Sequence, residues 1–550
     1  MQRFHQLLWR QTASVMVSKA ALEAAATHFA LGSPGYSQPD FCSKIYRRTQ
    51  TKDSGLHRHC EGMSKVGDPE AVDQSTSIDA SYKVDEASSD GSGKGPALIP
   101  GSKIIDRQQP VSVGVNRGNW AQVGFHMCTS VAGPALLGLP YAMSLLGWPA
   151  GAVVLLLGFF VTMYTSYIMA SLHQWDGTPH IRYRDLAQSI YGTWRGKAIV
   201  WPCQWANLIG SNISIFIQAG LSVKGLDMLS SSTGTARLSL TEWIAIMGGI
   251  AMLFTQLPTF HSLRYINGFS MLSTYTFAIC SMVISLYQGY KYKDLLEGPD
   301  FGKTYQVSSP EPTKLFDILT GIVIISFAFG NTIIPECQAT AKQPAENTMY
   351  KAIGVLYTLL ACTYIPISFI GYWAYGSALL NNGSFLPTFQ ANVPSVQGTD
   401  GGPHPRWLIM WVLAQTLLNA FIGITLYNQP VLEIIETSLI YTKSRDVWNF
   451  RNWLLRTCLR CFYVFLCAFV AALFPYFGDI LGVIGALGVT PIDFILPCCF
   501  HLTVRKPKGW LRWVDIAIIF VYGCVGVLGT VSSIRSIVVD ASTYSVFANL

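Results

Sequence analysis

Among the ionisable side chains that stand inside or at the ends of long apolar stretches of this 550-residue sequence, the chief candidates for chemistry are His126, Glu336 and Asp493. Such groups are costly in apolar surroundings and mark proton or ion pathways by default, and histidine changes charge near physiological pH. His126 reads either as a proton-coupling group or as a neutral imidazole hydrogen-bonded across helices. Asp493, two residues after Pro491, reads either as a second proton carrier or as a partner for backbone amides freed by that proline. Glu336 reads either as a gate paired with an inner-loop arginine or as a structural cap to the first apolar run. No Cys/His spacing forms a metal site, and no metal or nucleophile constellation stands out within the apolar runs, so neither a metal, a cofactor nor an enzyme is expected.

The elements that must position these residues are apolar runs. About 20 apolar residues are needed to cross a bilayer as a helix. Eleven runs qualify: 120–143, 148–172, 198–229, 241–258, 265–290, 315–336, 349–375, 406–437, 457–474, 479–502 and 512–535. Two of them contain sequence unsuited to a continuous helix. The first carries Gly133, Pro134, Gly138 and Pro140; the sixth carries Gly330, Asn331 and Pro335. Proline removes a backbone donor and crowds the preceding turn, while glycine opens conformations closed to other residues. Both helices are expected to break near mid-membrane, where only protein or a polar cavity can satisfy the freed backbone. The breaks fall five runs apart, in equivalent places of two five-span halves, as in transporters built from inverted repeats.

The breaks themselves define a candidate binding site. Amides at the start of the outer half of span 1 (Gly133, Ala135, Leu136) carry the positive end of a helix dipole and suit a carboxylate. Carbonyls around Phe327, Ala328 and Phe329 suit an ammonium group, so a zwitterion fits both. Ser130, Ala132 and Asn331 join this candidate set, with Phe329 read as an aromatic lid or as ordinary packing. Asn207 and Ser211 in span 3, with Thr416 and Asn419 in span 8, face the cavity or serve only as hydrogen-bond partners between helices.

Composition agrees with a lipid setting. Half of the residues are hydrophobic and 13% are charged, against roughly 25% in soluble domains. Residues 1–118 hold 26 of the charged residues, so charge over the remainder is about one residue in ten. A net charge of +7, scattered along the chain, points to no nucleic-acid partner. Residues 1–117 form the expected cytosolic tail, polar and aromatic-poor in its second half. Its first thirty residues are faintly like an organelle transit peptide, or simply a weakly helical start. The hydrophilic stretches 291–314 and 376–405 contain no cysteine, so no external disulfide is expected.

Sixteen lysines and arginines fall in the loops on the side of the amino terminus and seven on the other side. That bias sets the amino terminus in the cytosol. Residues 536–550 then form a short external tail, and the sequon at Asn382 faces outward as a possible N-glycosylation site.

Leu139-Pro140-Tyr141-Ala142 followed by Leu146-Gly147-Trp148 resembles the first-span signature of the amino acid/auxin permease family. Ile333-Ile334-Pro335-Glu336-Cys337-Gln338-Ala339-Thr340 is similar to the family's motif closing span 6. Gly371-Tyr372-Trp373-Ala374-Tyr375-Gly376 matches the end of span 7, and Phe474 to Pro497 matches spans 9 and 10. The resemblance covers roughly 118–535, the expected transporter domain. It implies an all-α integral membrane protein of eleven transmembrane helices, with the five-plus-five inverted repeat of the amino acid–polyamine–organocation superfamily and one extra helix. The Phe125-His126 pair and Pro258 to Arg264 look most like the plant GABA-transporter branch. That branch implies proton-driven import of GABA and related small amino acids, sodium being the less expected ion. A broader neutral, basic or proline permease and a transporter-fold amino acid sensor remain as alternatives. The partners implied are an amino acid and the lipid bilayer, with a monomeric carrier in the plasma membrane, or in an endomembrane or organelle membrane.

Overall fold

The computed structural model describes residues 118–131, 135–175, 180, 182–231, 235–256, 263–291, 303–305, 307, 313–332, 334–339, 341–342, 345–382, 385–391, 406–439 and 450–543. The tail 1–117, the transit-like start and the segment 544–550 lie outside them. Among the described residues there is no strand, only a lone bridge between Gly118 and Ala341.

The helices, in chain order, are α1 Trp120–Val131, α2 Ala135–Leu146, α3 Trp148–Leu172, α4 Tyr183–Tyr191, α5 Thr193–Ser230, α6 Leu240–Phe254 and α7 Leu263–Lys291. There follow α8 Thr313–Ala328, α9 Ile334–Ala339, α10 Ala345–Tyr375, α11 Ala378–Asn382, α12 Phe385–Ala391 and α13 Arg406–Leu439. The chain continues through α14 Phe450–Leu473, α15 Phe477–Ile484, a π-wound segment Gly485–Ile495, α16 Leu496–Val504 and α17 Trp510–Thr543. Eight stretches among the described residues are long and apolar enough to cross a membrane. Their outward faces carry exposed large apolar side chains, among them Leu157, Phe160, Phe465, Phe520 and Val527. A surface of that kind needs lipid rather than water around it.

The two unusual runs do come as pairs of helices. The first run is split into α1 and α2, and residues 132–134 between them lie outside the description. The sixth is split into α8 and α9. Pro140 does not contribute to a break: α2 continues through it, and the close approach of Gly371 from α10 supports the helix there, since a Cβ on Gly371 would lie 2.8 Å from the Pro140 ring. The run 241–258 is shorter than expected, a 15-residue helix whose start is fixed by a capping box between Ser239 and Glu242.

The run 479–502 also departs from a plain helix. Its middle is wound with i to i+5 spacing around Pro491, and Asp493 lies in that segment. Such π segments recur at functional sites. Gly488 within it lets span 10 touch span 3, because a Cβ there would stand 2.8 Å from the Asn207 backbone nitrogen. The amphipathic α4, which the apolar-run reading passes over, lies along α5 and sends Tyr183 to span 10, donating to the Ile492 carbonyl at 2.6 Å.

Candidate functional site

The two interrupted runs meet at one cavity. Val131 at the end of α1 and Ala135 at the start of α2 line it on one side, and Phe327, Gly330 and Thr332 around the second interruption line it on another. Asn207 of α5, Tyr427 of α13 and Val489 of the π segment complete the walls. None of these lining side chains is charged, so the polarity of the site comes from backbone ends, one amide and hydroxyls. The room open to the centres of water-sized spheres is ≈ 20 Å³, enough for about one or two waters. An amino acid is larger, so the walls must part to admit one.

Local chemistry explains how the freed backbone is kept in place. Tyr364 of α10 donates to the Val131 carbonyl at 2.9 Å, satisfying the end of α1. In the sixth run Gly330 N–H reaches the Phe327 carbonyl at 3.0 Å and Ile334 N–H reaches the Asn331 carbonyl at 3.3 Å. The Asn331 N–H is taken across helices by Asp493 Oδ2 at 3.0 Å. Asp493 thus partners an amide freed in span 6, not one freed by its own proline. Asn207 Nδ2 donates to Thr332 Oγ1 at 2.9 Å.

A second cavity lies on the other side of the same interruption. Asn331, Ile334 and Asp493 face Thr162, Thr165, Ser166 and Met169 of α3, with Tyr183 and Pro497 closing it. The open room is ≈ 10 Å³, about the size of one water.

The structure brings Ala135, Phe327 and Asn207 of the sequence-derived candidates together at the first cavity, and Asn331 and Asp493 at the second. Ser211 stands behind Asn207, donating to its Oδ1 at 3.5 Å. Ala328 is fully buried in the core. The Phe329 ring is wholly buried and packs on Phe159 at 5.9 Å and Tyr364 at 5.7 Å between centroids, away from the lining of either cavity. Thr416 bonds back to Val412 of its own helix at 2.8 Å, and Asn419 accepts from Ser270 and Thr274 of α7, each at 3.2 Å. Both therefore belong to helix packing rather than to these cavities.

His126 lies on α1, half-buried, and lines neither cavity. Ala132 and Gly133 lie outside the described residues. So do the side chains of Ser130, Glu336 and Asn382, although their backbones are helical.

Thr332, Tyr427 and Val489 at the first cavity, Tyr183 and Thr162 at the second, and the Tyr364 cap lie outside the candidate set that the residues alone suggest. Thr332 directly follows Asn331 in the broken segment, and Tyr427 precedes Asn428-Gln429-Pro430 inside an apolar run. Polar residues beside a proline in a span were the available signal. Tyr183 had none, because its partner is a carbonyl more than three hundred positions away.

An all-helical bundle rich in membrane-length helices, with an uncharged polar cavity where two interrupted helices meet, is the build of a membrane carrier. A family model described as transmembrane amino acid transporter protein matches residues 116–538. The chain belongs to that family, the amino acid/auxin permeases, whose members are transporters and not enzymes.

GABA transporter 1 of Arabidopsis thaliana is 33% identical over 472 residues, covering 85% of this chain and 99% of that protein. Lysine histidine transporter-like 6 of the same organism is 28% identical over 442 residues, covering 78% and 93%. Among solved structures, a Na+-coupled sialic acid symporter in a substrate-bound outward-open state aligns over 78% of this chain and 91% of its own, with a TM-score of 0.43 at 10% identity.

Proposed function

We propose that this chain is a proton-driven importer of GABA and related small amino acids. The observation that carries the reading is the meeting of both interrupted runs at the cavity lined by Ala135, Phe327, Gly330, Thr332, Asn207 and Tyr427. The start of α2 offers backbone N–H groups to a carboxylate, and the end of α8 offers carbonyls to an ammonium. A small zwitterion uses both ends, and the uncharged walls between them suit a short methylene chain. Among the described residues no aspartate or glutamate lines the cavity, so a cationic side chain would find no counter-charge in that lining. This favours GABA over lysine or histidine, and the similarity to a GABA transporter supports it.

The working architecture of this reading is eleven spans, two five-span inverted repeats and one extra helix, with a cytosolic amino terminus in the plasma membrane. Alternating access proceeds by rocking around the interrupted helices. Proton coupling, with His126 and Asp493 as candidates, is preferred to sodium. Labelled GABA uptake in a transport-deficient host, competed by proline, alanine and lysine at acidic and at neutral pH, tests it. The expected result is saturable uptake, greater at acidic external pH, competed by small neutral amino acids more than by lysine. Uptake that none of these competes and that ignores pH would remove both substrate class and coupling.

A further inference from the structure

Asn331 is 4% exposed, yet neither its Oδ1 nor its Nδ2 has a hydrogen-bond partner. A buried amide left open on both atoms calls for an explanation, since native structures satisfy nearly all such groups. It belongs to the lining of the second cavity, beside the buried carboxyl of Asp493. Among the described residues no lysine, arginine or histidine lines that cavity. The titratable groups near Asp493 among the described residues are Tyr183 from α4, Tyr357 from α10 and Tyr427 from α13, hydroxyls that are neutral at physiological pH and provide no counter-charge. Facing it from α3 are the hydroxyls of Thr162, Thr165 and Ser166.

We propose that this second cavity is the proton-coupling site, separate from the substrate cavity, with Asp493 taking the proton and one water bridging it to the Asn331 amide. The inference rests on the reading of this chain as a proton-driven amino acid carrier. The proton adds to a carboxylate oxygen of Asp493 and leaves from it again, and no other bond changes.

The linkage to substrate is geometric. Asp493 Oδ2 holds the N–H of Asn331, while the residues on either side of Asn331, Gly330 and Thr332, line the substrate cavity. The ionised carboxylate makes the stronger, charge-assisted bond to that N–H, but stands as an unpaired charge in a buried place. Protonation removes the charge and weakens the hold. Substrate on one side of the interruption and a proton on the other therefore bias the same short segment, which is what reciprocal coupling between two sites requires.

Asp493→Asn and Asn331→Ala, each made in the full chain and checked for membrane expression, test this in proteoliposomes and by infrared difference spectroscopy. In the unmodified protein, acidification is expected to bring up a protonated-carboxyl band that Asp493→Asn lacks and whose titration midpoint GABA shifts. With Asp493→Asn, an inward proton gradient no longer raises GABA uptake. Asn331→Ala keeps the gradient effect but shifts its pH midpoint, which loss of packing alone would not do.

A titrating band that alanine or proline shifts but GABA does not would uphold the coupling site and reject the substrate assignment. Gradient-driven accumulation undiminished in Asp493→Asn, a band unaffected by that replacement, or uptake that follows sodium rather than protons would overturn the proposal. If Asp493→Asn fails to reach the membrane, the pH midpoint of Asn331→Ala decides, and an unchanged midpoint rejects the site.

Discussion

Asn207 of α5 donates from Nδ2 to Thr332 Oγ1 at 2.9 Å in the wall of the first cavity, tying span 3 to the interruption of span 6. With Tyr427 they are the polar side chains of a wall that is otherwise apolar or backbone. Removing one leaves the other without its partner, a loss of about 1 kcal/mol or somewhat more. Asn207→Ala is therefore expected to raise the KM for substrate several-fold with surface expression retained. Thr332→Val should do likewise, and the double variant should be little worse than either single one, because the two side chains act as a pair. Initial-rate uptake across substrate concentrations reads all three.

Tyr364 is fully buried and its hydroxyl donates to the last carbonyl of α1, that of Val131, at 2.9 Å. Tyr364→Phe keeps the ring against Phe329 but strands that carbonyl, at a cost of about 1–3 kcal/mol. A lowered melting temperature in detergent and reduced transport are expected together. Leucine at this position, which also loses the ring contact, should lower both further.

Arg460 and Glu436 form a buried ion pair between α14 and α13, Nε to Oε1 at 2.7 Å, and Arg460 Nη1 also reaches the Thr255 carbonyl at 2.8 Å. From sequence Arg460 counts simply as an inner-loop charge; in the fold it ties the body of α14 to the ends of α13 and α6. Arg460→Met alone is expected to cost about 3–5 kcal/mol by leaving Glu436 charged and unpaired. The double replacement Arg460→Met with Glu436→Leu should recover much of that loss. Thermal denaturation of the purified variants distinguishes the two outcomes.

His173, in the turn that follows α3, is pushed down from the usual 6.5 to about 4, first by burial and secondarily by the nearby His180 charge, against the raising effect of a hydrogen bond that its ring donates to the His180 backbone. The folded protein therefore holds this imidazole neutral at neutral pH, whereas the unfolded chain takes up a proton there more readily. Its contribution to stability is complete above the unfolded value of about 6.5 and is lost as pH falls from there toward 4. Melting temperature should decline over that window, and the decline should be shallower in His173→Gln. A series of thermal melts across acidic pH checks the slope.

Much of the architecture is legible in the residues. The apolar runs, the Gly-Pro and Gly-Asn interruptions and the Pro335-Glu336 motif mark helices and breaks, because apolar length and backbone-breaking residues act locally. Ala135, Phe327 and Asn331 could be placed at the candidate site for the same reason: they adjoin the breaks. Helix length is less legible, since Pro140 is carried inside α2 by packing against Gly371, a residue far along the chain. Side-chain direction is less legible still. Phe329 sits within two residues of both Phe327 and Asn331, yet turns into an aromatic cluster with Phe159 and Tyr364.

By itself, then, the sequence determined a membrane-embedded helical carrier with two broken spans and a few ionisable groups within lipid, since hydropathy, proline and glycine speak residue by residue. Helix packing brings Asp493 to the Asn331 N–H, sets Thr332 and Tyr427 in the wall of the first cavity, and leaves His126 outside the lining of either cavity. The physical reason is that a hydrogen bond or a cavity wall belongs to a pair of helices, and which faces meet is settled by packing at sequence separations no local pattern encodes.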